Sequence, residues 1–398
     1  MKYCTKCGRE MKDTDMFCPA CGVSCETGEK SPEAHEAMKW YDKFTDWINR
    51  MTGGRGAVRP PLKSVFSQIF AKHSKTESEE IFVCGTTATT PELTDDGRAW
   101  PSPWLWSRIL LVFVATFALL YVCCSSFGNL NAYPGLMVIG AFMVPVAAMV
   151  FFFELNTPKN ISLFTVIKYF LIGGCSSLVI TLVLNDVFSM ELSEWLEAML
   201  TGIIEETAKL AIVAFVIWRN KNAKYALNGL LIGAAIGAGF AAFESAGYAF
   251  NIFLGSFLNS LDFDIAYKEM VDNIILRAFL APGGHVIWAA MSGYAIMLVK
   301  GTKEFDMSFL NEKSFWKIFW IPIFLHAVWD MPIVIGKSVI LQLLPVIVNM
   351  LLGWVVIFVL IGNSLEQIGG ILRAKDEEKE TDDQKELEIC SEAVDTNG

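Results

Sequence analysis

The sequence predicts an all-α, polytopic membrane protein: a bundle of about eight transmembrane helices behind a small, cysteine-bearing N-terminal domain. Of its 398 residues, 53% are hydrophobic and 19% are charged, whereas soluble domains are roughly a quarter charged. From Trp104 onward, apolar runs follow one another, each of about 20 residues and long enough to cross a bilayer as a helix. Two Cys-x2-Cys pairs precede them near the N-terminus.

The composition also excludes some classes of function. The formal net charge is −10, from 32 basic and 42 acidic residues, which argues against nucleic acid as a partner. Part of this imbalance lies at the C-terminus, where residues 366–398 read as a solvated acidic tail.

Four N-terminal cysteines have the spacing of a metal site. Cys4-x2-Cys7 and Cys18-x2-Cys21 frame a short hairpin, and a glycine follows each pair. Four thiolates at this spacing can surround one tetrahedral Zn²⁺, and so short a segment cannot fold on a core of its own. We therefore predict a structural zinc ribbon over residues 1–25, with a regulatory role or a role in docking an unidentified cytosolic partner. A pair of disulfides is the weaker alternative, because a cytosolic segment is kept reduced.

Residues 26–103 are predicted to hold one amphipathic helix and a linker. The helix covers 33–51, and its apolar stripe has helical spacing. Such a helix either packs on the ribbon or the bundle, or lies on the inner leaflet of the membrane. The stretches 52–63 and 73–103 read as linkers. The stripe consists of Met38, Tyr41, Phe44, Ile48 and Met51.

The transmembrane domain is predicted over residues 104–365. Only a helical bundle satisfies the backbone in lipid at this span length, and strand-like alternation is absent. The final two of the predicted spans are separated only by Lys337. The spans are 104–127, 134–153, 163–188, 195–218, 226–250, 277–299, 315–336 and 338–362.

The distribution of lysine and arginine predicts the orientation in the cell membrane. Positive residues favour the cytosolic side, and a cytosolic N-terminus places seven of them in the short inner loops. An even number of spans returns the C-terminus to the cytosol. The inner residues are Lys159, Arg219, Lys221, Lys224, Lys300, Lys303 and Lys313, against Lys268 and Lys337 outside, with Arg277 at a helix edge.

Four consecutive spans carry ionisable residues at membrane depth, where such groups are costly and are functional candidates. With 1.5 Å per residue, six of them, all except Lys209, fall about 9–16 Å from the outer membrane edge. Unrelated structural polar residues would have no reason to match in depth. These residues are Glu205, Glu206 and Lys209 in the fourth span, Glu244 in the fifth, His285 in the sixth, and His326 and Asp330 in the seventh.

Spacing within each helix suggests how these groups interact. Lys209 follows Glu205 by four residues and Glu206 by three, so its ammonium can neutralise one carboxylate. Two adjacent carboxylates do not easily both ionise in a low-dielectric site, which suits one of them to general acid/base catalysis. Asp330 follows His326 by four residues and can orient its imidazole or join it on a metal. Each group alone is more often a structural ion pair or an interhelical hydrogen bonder; their common depth favours a shared functional site.

The ordered motifs resemble those of PrsW-type intramembrane proteases, which are grouped with CAAX prenyl endopeptidases and abortive-infection membrane proteins. The resemblance covers about residues 105–365 and rests on four motifs on four successive spans. The N-terminal ribbon lies outside it. The motifs are Glu205-Glu206-x-x-Lys209, Phe240-x-x-x-Glu244, His285 after Pro282, and His326-x-x-x-Asp330.

The resemblance implies hydrolysis of peptide bonds, with an anti-sigma factor as one substrate class. The position of the ionisable residues in the outer half of the membrane predicts that single-span substrates are cut near their extracytoplasmic side. The resemblance also implies catalytic roles for Glu205 as the general base, for Glu206 as its partner, and for Glu244, His285 and His326. Lys209, Phe240 and Asp330 would support them. Related endopeptidases often carry histidine at the position of Glu244, so a catalytic zinc and a metal-free carboxylate site both stay open. The candidate metal ligands are Glu244, His285, His326 and Asp330.

Two alternatives remain at the level of sequence. Intramembrane Glu, Lys, His and Asp also build the proton relays of transporters and channels. Transporters often have paired broken helices in repeated halves, whereas the sequence shows one such break, at Pro282-Gly283-Gly284. The other alternative is an inactive membrane scaffold whose ribbon docks a partner.

Overall fold

A computed structural model describes residues 2–3, 10–11, 32–94, 99–188, 190–333 and 339–395. Near the N-terminus, the strands β1 (Lys2–Tyr3) and β2 (Glu10–Met11) pair in antiparallel fashion. The four cysteines predicted to bind zinc lie outside the described residues. All other regular structure in the described part of the chain is helical, so the protein is an all-α membrane protein with a small ribbon.

Among the residues described before Leu105, three helices precede the bundle. The amphipathic pattern correctly predicted α1 (Pro32–Met51). The stretches expected to be linkers contain two further short helices, α2 (Leu62–Val65) and α3 (Lys75–Val83). A capping box starts α3: the Ser74 side chain accepts from the Glu77 backbone, and the Glu77 side chain accepts from the Ser74 backbone.

Helix α1 packs against the bundle through a mixed face. Ile48 and the polar Thr45 and Asn49 are buried, and the Asn363 side chain donates to Thr52 Oγ1 at 2.6 Å. On the opposite face, Trp40 and Trp47 are exposed and stack on either side of Phe44. The structure therefore shows the predicted packing of α1 on the bundle. Its outer aromatic face is exposed and is available for contact with the membrane surface.

In the described part of the chain, ten helices form the bundle. A π-helical turn, Tyr169–Gly173, joins the sixth and seventh helices into one span, and a short 3₁₀ turn, Ala281–Gly283, separates the tenth from the eleventh. The helices are α4 (Leu105–Ser125), α5 (Tyr133–Leu155), α6 (Leu163–Lys168), α7 (Gly174–Val187), α8 (Glu194–Arg219), α9 (Ala226–Ser260), α10 (Phe263–Leu280), α11 (His285–Lys300), α12 (Lys313–Asp330) and α13 (Val339–Asp395).

Within the described residues, six helical segments are long and apolar enough to cross a membrane. They correspond to six of the eight predicted spans. The other two predicted spans are α8 and α12, which are helical but carry several charged residues. These are the helices that hold Glu205, Glu206, Lys209, His326 and Asp330, so the candidate site itself lowers their hydropathy.

The fifth span is longer than the sequence predicted. Helix α9 continues to Ser260 instead of ending near residue 250, and α10 returns beside it. Glu244 therefore lies 16 residues, about 24 Å, before the end of its helix. The predicted boundary was too early because polar residues such as Asn251 resemble a loop, although they lie on a helical hairpin. The depth of Glu244 in the membrane that was counted from residue 250 is therefore wrong.

Small residues bring the neighbours of α9 into backbone contact. A Cβ built on Gly233 would collide with the Ala289 carbonyl oxygen of α11. On another side of α9, a Cβ on Gly239 would collide with the Phe170 carbonyl oxygen in the π-helical turn. Helix α9 is almost wholly buried in its first half and forms the axis around which the site is assembled.

Glu154 fixes the start of the first span. Its carboxylate accepts hydrogen bonds from three consecutive backbone N–H groups at the beginning of α4, each at 2.9 Å, from Trp104, Leu105 and Trp106. These donors have no partner within the helix. Glu154 therefore joins the end of α5 to the start of α4.

Helix α13 continues beyond the bundle into the acidic C-terminal segment, as far as Asp395. The stretch expected to be a tail is thus helical in its described part. Lys337, the residue expected to separate the last two spans, lies outside the described residues.

Candidate active site

Helix α8 brings three ionisable groups to the centre of the bundle. Glu205, Glu206 and Lys209 lie within about one turn and are all buried, the last two completely. Lys209 Nζ donates to Glu206 Oε1 at 2.7 Å and to Glu205 Oε2 at 3.3 Å. One ammonium therefore compensates two neighbouring carboxylates in the buried interior of the bundle.

Lys209 also reaches across to the neighbouring helices. Its Nζ lies 2.9 Å from His285 Nδ1 and 4.2 Å from the centre of the Phe240 ring. An ammonium has three N–H donors and no acceptor, so its three polar contacts use all of them. Lys209 thus ties α8, α9 and α11 together at one point.

His285 is held between Lys209 and Glu244. It begins α11, directly after the break at Pro282–Gly284. Because Lys209 only donates, His285 Nδ1 accepts, and the ring proton lies on Nε2, which donates to Glu244 Oε2 at 3.0 Å. The Nδ1 lone pair then faces Lys209 and Glu205, whose Oε2 is 3.8 Å away.

His326 comes from α12 and approaches the same carboxylate from another side. Its Nδ1 donates to Glu206 Oε1 at 2.8 Å. Its Nε2 lies 3.7 Å from Glu205 Oε2 and 3.3 Å from Asp330 Oδ2. Glu205 therefore sits between one nitrogen of each histidine, while Glu206 and Glu244 bind the other nitrogens.

Aromatic rings fix the planes of both imidazoles. The Trp288 ring stacks on His326 with a centroid distance of 4.4 Å. The Phe240 ring contacts His285 at 4.9 Å. The two imidazoles lie 5.1 Å apart, so rings on both sides leave them little freedom to turn.

A cavity of about 580 Å³ opens beside these groups. Glu205, Glu244, His285, His326 and Asp330 all line it, whereas Glu206 and Lys209 lie buried behind it. The structure therefore brings every ionisable residue predicted for the site into one cluster and exposes five of them to a common space. Phe240 completes the cluster from α9.

The donor set at the cavity is suited to a metal ion. Glu205, His285 and His326 each offer one ligand atom, all within 4.8 Å of one another, and two imidazoles with one carboxylate are a common set for catalytic zinc. This set contains Glu205 in place of the predicted Glu244 and Asp330. Glu244 instead binds the outer nitrogen of His285, as carboxylates behind zinc-bound histidines do. A metal on His285 Nδ1 would require Lys209 to release that atom.

Sequence reasoning missed three contributors to the site. Trp288 and Tyr248 line the cavity, and Arg277 pairs with Glu244 at 2.7 Å. Arg277 was placed at a membrane edge because the sixth span was expected to begin there. An arginine eight residues before His285, with acidic Glu244 on the preceding span, was the available signal.

Comparison with known proteins agrees with this geometry. The PrsW family of intramembrane metalloproteases matches residues 162–361, which is half of the 398-residue chain and includes every motif of the site. A zinc-ribbon domain matches residues 3–22. Neither the curated proteins nor the solved structures include a match. The matched segment runs from α6 to α13 and contains the whole ionisable cluster, and the chain belongs to the PrsW family of intramembrane metalloproteases.

Proposed function

We propose that this protein is an intramembrane endopeptidase that hydrolyses peptide bonds of single-span membrane proteins in the cavity beside Glu205. The observation that supports this most strongly is the position of Glu205 Oε2, 3.8 Å from His285 Nδ1 and 3.7 Å from His326 Nε2. A water molecule beside Glu205 Oε2 would have a base and two imidazoles around it, on the wall of a cavity of about 580 Å³.

In the metal-free form of the site, Glu205 acts as the general base. It takes a proton from the water while the water oxygen attacks the scissile carbonyl carbon. When the carbon–nitrogen bond breaks, Glu205 returns this proton to the leaving amine. His326 donates from Nδ1 to Glu206, and in its protonated form it also donates from Nε2, which faces the cavity, to the developing oxyanion.

If a metal is bound, Glu205, His285 and His326 would hold it. The ion would supply Lewis-acid polarisation of the scissile carbonyl or of the attacking water. Glu206 and Glu244 would keep both rings oriented through their outer nitrogens in either case. The structural zinc of the ribbon would be held separately by Cys4, Cys7, Cys18 and Cys21.

The proposed orientation has both termini in the cytosol, with the zinc ribbon available to a cytosolic partner. The cavity is lined by the first turns of α8 and the end of α10, which this orientation places toward the extracytoplasmic side. Substrates would accordingly be cut near that side, and anti-sigma factors are one substrate class.

The mechanism is tested with Glu205→Gln and His326→Ala. Each variant should lower the rate of cleavage of a single-span reporter in detergent by about 10²- to 10⁴-fold, because each removes a group next to the reacting water. Glu269→Gln, an exposed site on α10, is the matched control and should cleave at the wild-type rate. A Glu205→Gln protein that cleaves normally would contradict the mechanism.

Metal content separates the two forms of the site. Purified wild-type protein and the His285→Ala and His326→Ala variants are compared by elemental analysis with a variant lacking the ribbon cysteines. Two zinc ions per chain, one of them lost with either histidine, indicate a metalloprotease. One zinc ion, lost only with the cysteines, indicates a carboxylate site.

A further inference from the structure

Arg277 lies beside the site but is not one of the groups proposed to act on the water or the substrate. It belongs to the last turn of α10. Among the described residues that line the cavity, Arg277 is the only lysine or arginine. Its side chain is 27% exposed, so most of it is enclosed between α10 and α9.

Three residues of α9 hold this guanidinium. Its Nη2 donates to Glu244 Oε2 at 2.7 Å, and its Nε donates to Ser245 Oγ at 2.9 Å. The guanidinium carbon also lies 4.4 Å from the centre of the Tyr248 ring. A planar, forked donor can make these contacts together, whereas a lysine offers a single nitrogen.

The same oxygen of Glu244 accepts from both Arg277 and His285. The His285 Nε2–Glu244 Oε2 distance is 3.0 Å, so the direction of the carboxylate sets the rotation of the imidazole. That rotation places Nδ1 toward Glu205 and Lys209. Arg277 is thus linked through two hydrogen bonds to His285, whose Nδ1 lies 3.8 Å from Glu205 Oε2.

Charge gives a reason for this link. Four carboxylates lie in the cluster, Glu205, Glu206, Glu244 and Asp330, and Lys209 compensates two of them. Glu244 is largely buried, and Arg277 supplies the cation that it needs there. Without Arg277, repulsion from the remaining carboxylates would move Glu244 away from His285.

We propose that Arg277 is a positioning residue: it orients Glu244 and, through it, the His285 ring, so that Nε2 carries the proton and Nδ1 faces Glu205. Its kinetic consequence rests on the proposed peptidase function, whereas its effect on the imidazole does not.

The kinetic test is a double-mutant cycle with Arg277→Gln, Glu244→Gln and the double variant. Arg277→Gln should lower kcat by about 10- to 100-fold with little change in KM. The double variant should be no slower than Glu244→Gln within about twofold, because both changes break one linkage. Arg277→Lys should be intermediate, and Lys268→Gln, exposed on the same helix, should match wild type. Rate losses that multiply, a change confined to KM, or full activity of Arg277→Gln would each overturn the proposal.

A spectroscopic test does not depend on cleavage. The chain has four histidines, so ¹⁵N-histidine labelling gives few signals, and His285→Gln assigns the one from residue 285. Wild type should show the Nε2–H form at His285, and Arg277→Gln should convert it to a mixture of tautomers. An unchanged His285 signal in folded Arg277→Gln protein would overturn the proposal. If wild type cleaves no reporter, the peptidase function fails and this measurement alone decides the role of Arg277.

Discussion

At the scale of single residues, the centre of the site is a lysine. Lys209 donates to Glu205, Glu206 and His285, and its side chain is completely buried. Its charge allows two adjacent glutamates to lie inside the bundle. Its hydrogen bond to His285 makes Nδ1 the accepting nitrogen of that imidazole. The spacing of the motif predicted the pairing with the glutamates, but the contact with His285 depends on how α8 and α11 pack.

Replacing Lys209 with methionine should destabilise the protein and abolish cleavage. The change leaves the buried Glu206 carboxylate without its cation, which costs about 3–5 kcal/mol of unfolding free energy. Thermal unfolding in detergent and reporter cleavage measure the two effects. Lys317→Met, at an exposed position on α12, is the control. A Lys209→Met protein as stable as this control would show that Lys209 does not compensate the glutamates.

At the scale of helices, the close contact of α9 with α11 places His285 at the site. The glycines at 229, 233 and 237 face the backbone of α11, and a Cβ on Gly237 would collide with the carbonyl oxygen of His285 itself. Small residues of this kind allow helices to approach closely in a membrane. Glu244 follows Gly237 by seven residues, about two helical turns, so its carboxylate lies on the same side of α9, just beyond this contact.

Gly233→Ala should separate α9 from α11 and disturb the site without touching an ionisable group. The overpacked contact should cost about 1–3 kcal/mol of unfolding free energy and lower the cleavage rate. Gly247→Ala lies on the same helix, where nothing would touch the added methyl group, and should leave both properties unchanged. Equal behaviour of the two variants in thermal unfolding and cleavage would exclude this role for the contact.

At the scale of the whole molecule, the arrangement of spans decides which compartment the cavity faces. The excess of lysine and arginine in the predicted inner loops favours a cytosolic N-terminus. The long hairpin of α9 and α10 would then extend toward the opposite side.

An epitope tag after Gly398 and a tag inserted between Leu261 and Asp262, at the turn of that hairpin, test this orientation. Protease added to right-side-out vesicles should remove the hairpin tag and spare the C-terminal tag, because only the hairpin faces outward. Inside-out vesicles should give the reverse pattern. Digestion of the C-terminal tag in right-side-out vesicles would contradict the proposed topology.

The class of fold and the membership of the ionisable cluster were accessible from the sequence, because both leave periodic or local marks. Apolar runs of membrane length identify spans, and costly groups such as Glu206 and His326 stand out within them. The end of α9 was predicted too early because residues such as Asn251 and Ser256 have the composition of a loop. Hydropathy describes the solvent of a segment and not its backbone conformation.

The sequence alone determined that this is an all-α membrane protein and predicted which ionisable side chains lie together in the cluster. Which nitrogen of each histidine faces Glu205, and that Arg277 stands behind Glu244, were decided only by the tertiary structure. The reason is physical. Either nitrogen of an imidazole can donate or accept a hydrogen bond, and a hydrogen bond between two helices far apart in sequence does not change the residue spacing within either helix. Packing at the glycines of α9 selects one arrangement, and the chemistry follows from that choice.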